Sequence, residues 1–125
     1  MIKTISTDKA PAAIGPYSQA KVVGNMVFTS GQIAINPATS EVEATTIEGQ
    51  TKQVCENIKN LLEAAGSDLE SVVKTTCFLK NMEDFGVFNS IYAEYFTSKP
   101  ARSCVAAKQL PKDVLVEIET IAIVK

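Results

Sequence analysis

Leu115-Val-Glu-Ile-Glu-Thr-Ile-Ala-Ile-Val124 alternates on a two-residue period, and its reading decides the architecture. A strand sends successive side chains to opposite faces. Val116, Ile118, Thr120, Ala122 and Val124 share one face, and Leu115, Glu117, Glu119, Ile121 and Ile123 share the other. Two acids thus stand among three large aliphatics, although a half-solvated strand usually separates the two kinds. Local rules break in this way where a site or an interface intervenes. Upstream, Pro100-Ala-Arg-Ser-Cys-Val-Ala-Ala107 reads as another strand, with Arg102 and Cys104 projecting from one face.

The rest of the chain supplies the layers. Ile2 to Ser6 suits a short strand, and Ala10 to Pro16 is a Pro/Gly loop leading to Tyr17. Ser18–Val23 and Met26–Ser30 flank Gly24-Asn25, a two-residue hairpin signal. Asn36 to Ser40 is a turn, and Glu41 to Thr46 an exposed connection. Ile47, Thr51, Val54, Cys55, Ile58, Leu61, Leu62 and Ala65 make one helical stripe, capped by Thr45 or Thr46 and stopped by Gly66. Val72–Leu79 is a strand, and Met82–Phe96 a second helix with Phe85, Phe88, Tyr92, Tyr95 and Phe96 on one side. Pro100 prevents that helix from continuing.

Residues 1–125 therefore predict one α+β domain of two layers, six strands with two helices on one sheet face. The other face, carrying Leu115, Ile121 and Ile123, stays uncovered and predicts a homo-oligomer with clefts between subunits.

Composition narrows the chemistry. The chain has 46% hydrophobic and 21% charged residues and a net charge of −2. That balance suits a globular protein and offers no basic footprint for nucleic acid. No apolar run reaches the roughly 20 residues of a bilayer span, and the N-terminus lacks a secretory layout, so a cytoplasmic location is expected. Cys55, Cys77 and Cys104 are too scattered for a disulfide framework or a zinc site. With no histidine, Ser–His–Asp and Cys–His catalysis and imidazole metal sites are excluded.

Arg102 is the foremost candidate, since a guanidinium fork binds a carboxylate through two charge-assisted hydrogen bonds. Its plainer role is an ion pair with Glu117 or Glu119. Glu117 could activate a water if burial raises its pKa, or could simply pair with a cation. Cys104 lacks a histidine base, which favours packing or a backbone role over thiolate chemistry. Tyr17 could close a pocket or cover surface, and Ser30-Gly31 could offer a hydroxyl and a close-approaching backbone or merely end a strand. These residues predict an anion-binding cleft of unspecified purpose.

Ala13-Ile-Gly-Pro-Tyr17-Ser, Phe28-Thr-Ser30-Gly31-Gln-Ile33, Ala64-Ala-Gly66, Val73-Lys-Thr-Thr76, Pro100-Ala-Arg102-Ser-Cys104-Val, Leu110-Pro-Lys-Asp and Val116-Glu117-Ile-Glu occur in one order. This order resembles the reactive intermediate deaminase A (RidA/YjgF) family, the 2-iminobutanoate/2-iminopropanoate deaminases. The resemblance implies a chorismate-mutase-like fold and a homotrimer with three inter-subunit sites. It implies hydrolysis of 2-aminoacrylate, 2-iminopropanoate and 2-iminobutanoate to 2-keto acids and ammonia, as control of metabolite damage, with no metal or organic cofactor. Arg102 would hold the substrate carboxylate, the Cys104 backbone would position nitrogen and water, and Glu117 would activate the water. Tyr17, Ser30, Gly31 and Asn89 would line the pocket. The short segment Phe96–Pro100, Ser40 at a turn position that favours glycine, and Ala106 depart from the family pattern. Two other readings are a trimeric metabolite-binding or regulatory protein without turnover, and a translation inhibitor with ribonuclease activity, the latter weakened by the acidic balance.

Overall fold

The computed structural model describes residues 1–125. Six strands form the main sheet: β1 (Ile2–Ile5), β2 (Ala20–Val23), β3 (Met26–Thr29), β6 (Val72–Leu79), β7 (Ala101–Ala106) and β8 (Val116–Ile123). Their order is β1-β2-β3-β8-β6-β7, mixed because β6 and β7 run parallel while the other pairs are antiparallel. The two late strands are thus not neighbours. A further pair, β4 (Ile35–Asn36) and β5 (Glu41–Val42), closes a small hairpin where only a turn and an exposed connection were expected. Each side contributes two residues, too few for a legible period.

Helix α1 (Ile47–Ala64) begins on Thr46, whose hydroxyl accepts the Gly49 N–H at 3.1 Å. It ends through Gly66 at φ 82°, with Ser67 N–H donating to the Leu62 carbonyl and Gly66 N–H to that of Glu63. That pair of bonds is a Schellman closure, which needs a left-handed residue and so favours glycine. The second helix is shorter than expected. Met82–Asp84 is one 3-10 turn, and α2 covers Phe85–Tyr95.

The alternation of β8 holds. Val116, Ile118, Thr120 and Ala122 are buried under the helices, joined by Thr75, Cys77 and Leu79 of β6 and by Val54, Cys55, Ile58, Leu61, Leu62 and Phe88. The opposite face has no cover. Registers Ile2↔Val23, Val23↔Met26, Met26↔Ile123 and Phe28↔Ile121 set these apolar side chains in a continuous band. Ile2, Val23 and Phe28 are 65%, 45% and 40% exposed, far more than core positions of a closed sheet.

Candidate active site

Register decides which candidate residues can meet. Arg102 pairs with Thr75, and Thr75 with Thr120, so the arginine lies on the helix side of the sheet. Glu117 pairs with Phe78, one step out of phase, and lies on the open side. The ion pair of Arg102 with Glu117 or Glu119 is therefore not formed within the chain. Two separate clefts result, one on each face.

The arginine cleft encloses about 380 Å³ and is lined by Asn89, Tyr92, Phe96, Pro100 and Arg102 among others. Arg102 Nη1 donates to Asn89 Oδ1 at 2.7 Å. Its guanidinium carbon lies 4.8 Å from the Tyr92 ring centroid and 5.4 Å from that of Phe85. The platform is rigid, because Tyr92 stacks on Phe96 at 4.4 Å and shares a 2.8 Å hydrogen bond with Thr75. Burial pushes the Tyr92 hydroxyl pKa upward, with the Thr75 bond opposing. One donor of the fork is used by Asn89, and aromatic faces hold the plane without consuming the others. An anion meets an oriented guanidinium.

The second cleft, about 400 Å³, gathers Tyr17, Ser30, Gly31 and Glu117 with Gln19 and Gln32. Gly31 abuts the acid: a Cβ there would lie 2.9 Å from Glu117 Cδ and closer still to Oε2. Burial, and then the neighbouring Glu119 charge, raise the Glu117 pKa above the usual glutamate value. Ser30 Oγ donates to the Ser18 carbonyl at 2.6 Å, which uses its proton and leaves its lone pairs available to a donor. Tyr17 is 54% exposed at the mouth of this cleft.

Two buried amides hold these walls, and neither was singled out from the sequence. Gln19 accepts from Thr7 N–H at 2.7 Å and donates to the carbonyls of Thr7, Ala10 and Pro11, pinning the loop that carries Tyr17. Its own carbonyl accepts from Ser30 N–H at 2.9 Å. Asn57 of α1 donates to the Ile33 and Ile35 carbonyls, anchoring the chain beyond Gly31. A polar residue at an inward strand or helix phase was the one available signal.

Cys104 is half-buried beside Cys77, its register partner, and lines neither cleft. Burial raises its thiol pKa, and the nearby Arg102 only partly offsets this. A thiolate is disfavoured there. No group of three or more Cys, Asp or Glu side chains is gathered to hold a metal ion, and no helix is long and apolar enough to cross a membrane.

Residues 7–124 match the family model described as Endoribonuclease L-PSP. A protein of Escherichia coli K12 named 2-iminobutanoate/2-iminopropanoate deaminase is 50% identical over 127 residues, covering 98% of each chain. A Lactococcus lactis protein named as a regulator, AldR, is 54% identical over 99% of each chain. Among solved structures, the YjgF gene product of E. coli superposes with a TM-score of 0.93 at 49% identity, covering 98% of this chain and 99% of that one. RidA from the Antarctic bacterium Psychrobacter sp. PAMC 21119 gives 0.93 at 46%, with the same coverage.

Proposed function

This chain belongs to the RidA/YjgF family, and from that premise we propose that it hydrolyses 2-imino and 2-enamino acids to 2-keto acids and ammonia. One observation carries the reading: an oriented guanidinium with free donors, unneutralised by any carboxylate of its own chain. Such a group suits a substrate whose carboxylate sits beside the reacting carbon. The name of the E. coli relative supplies the reaction class.

In this reading Arg102 takes the substrate carboxylate in a bidentate grip, oriented by Asn89 and the Tyr92 ring. Glu117, kept basic by its partial desolvation, accepts a proton from water. The oxygen adds to C2 of the imine, and the nitrogen gains that proton. The carbinolamine then collapses, C–N cleavage releases ammonia, and the carbonyl forms. An imine of a 2-keto acid is already electrophilic, so placement supplies most of the catalysis. The Cys104 backbone, which lines neither cleft within one chain, would help orient the nitrogen and water only in the assembled site.

Arg102 and Glu117 occupy opposite faces of one sheet, so a working site needs two copies of the chain. A homotrimer built on the apolar open face, in a chorismate-mutase-like arrangement, would bring the arginine cleft of one copy to the Glu117 cleft of the next. A non-turnover role as a metabolite-binding regulator is the second reading, favoured by the name of the L. lactis relative.

The test is a coupled assay in which threonine dehydratase generates 2-iminobutanoate in the presence of semicarbazide. Wild type is expected to reduce semicarbazone and Arg102→Ala to leave it unchanged, with the oligomer intact by light scattering. Full activity in the variant removes the carboxylate anchor. Keto-acid binding by assembled wild type without imine turnover supports the regulator instead.

A further inference from the structure

Arg102 is not the only cation in its cleft. Lys99 lines the same cavity from the rim segment Thr97–Pro100, and none of the lining residues is acidic. The ion pairs of the chain, Lys80–Asp113 and Lys125–Asp68, involve neither residue. Within one chain, two cationic residues therefore line one cavity that holds no acidic residue.

The rim is also built. Lys99 takes φ 56°, a left-handed value disfavoured for any residue with a Cβ. Its N–H donates to the Phe96 carbonyl at 3.2 Å, Pro100 follows it, and the Thr97 hydroxyl bonds the Glu70 carboxylate. The short turn places Lys99 in the lining of the cleft that also holds Arg102.

A monocarboxylate needs only the arginine fork. A lysine ammonium acts as a point charge and suits a second anionic group a few bonds away. We infer that this cleft selects substrates with two carboxylates, the 2-imino acids derived from dicarboxylic amino acids, with Arg102 on the α-carboxylate and Lys99 on the distal one. The inference rests on the deaminase reading above. The reaction is the same hydrolysis: water adds at C2, ammonia leaves, and a dicarboxylic 2-keto acid remains. Supply would come from a reaction that oxidises an acidic amino acid at its α-carbon.

The experiment compares 2-iminosuccinate and 2-iminobutanoate, each generated by an amino-acid oxidase, in semicarbazide competition with wild type, Lys99→Met and Lys99→Glu. Lys99→Met keeps the aliphatic stem and removes the charge. The ratio of kcat/KM for diacid over monoacid is expected to fall about fivefold in Lys99→Met, mainly through KM, and further in Lys99→Glu, as for a solvent-exposed charge contact. In parallel, titration calorimetry measures oxaloacetate and 2-oxobutanoate binding. A ratio and an oxaloacetate affinity both unmoved by the two variants overturn the inference while leaving the deaminase reading intact. Oxaloacetate binding that weakens with Lys99→Met, without turnover of either imine, retains the dianion cleft and removes the deaminase. Inorganic phosphate is the control anion: tighter binding of phosphate than of oxaloacetate overturns the assignment to a dicarboxylate.

Discussion

Between Gly31 and Glu117 there is no room for a methyl group, since a Cβ would stand inside contact distance of the carboxylate. The requirement for glycine here is spatial and not dihedral. Gly31→Ala should push the carboxylate aside and lower kcat/KM roughly 10²-fold, the order expected when a reacting group is misplaced by about 1 Å. Far-ultraviolet circular dichroism should still show the native fold. Glu117 itself has a raised pKa, so the folded state binds its proton more readily than the unfolded one. Stability from this group is fully present below the unfolded pKa and is lost as pH rises through the folded value. Glu117→Gln should therefore raise Tm at pH 7, with the gain shrinking toward pH 4, while abolishing turnover. Glu119 adds to the upward shift, so Glu119→Gln should move the acid limb of the kcat/KM profile to lower pH.

Elements such as α1 and β8 were legible because each repeats one period over many residues. The hairpin at Gly24-Asn25 and the stop at Gly66 followed from turn chemistry, and both glycines take positive φ. The site was legible only as a set of residues. Arg102 and Glu117 looked like neighbours, yet β8 inserts between β3 and β6 while β7 pairs in parallel at the edge. The phase of one strand against another is set by long-range pairing, and alternation within each strand is silent on it. The role of Gln19 is silent in the sequence for a related reason, because its side-chain partners are loop backbone groups eight to twelve residues back. Gln19→Ala strands several of them, and should cost about 1–3 kcal/mol in chemical denaturation and raise KM by loosening the Tyr17 loop. Ser40, at φ 61° in the turn between β4 and β5, presents the reverse case. Ser40→Gly should stabilise the fold by up to about 1 kcal/mol, since relief of left-handed strain exceeds the added unfolded-state entropy.

At the scale of the molecule, the open sheet face is where the proposed assembly would complete the proposed site. Phe28 stands in the middle strands of that face, 40% exposed and opposite Ile121. Phe28→Glu should leave a folded monomer in sedimentation, because the side chain contributes little to the core beneath the helices. On the proposed two-copy site, the same variant should lose imine hydrolysis. Retained activity in a strict monomer would refute the two-copy site.

The opposed placement of Arg102 and Glu117 has a genetic reading. A cell carrying one allele with Arg102→Ala and another with Glu117→Gln makes two inactive chains. If the proposed trimer holds, each site in a mixed assembly would draw its arginine from one chain and its glutamate from a neighbour, so about a quarter of the sites in a random equal mixture would receive both intact residues. Two null alleles would then complement each other within a single gene.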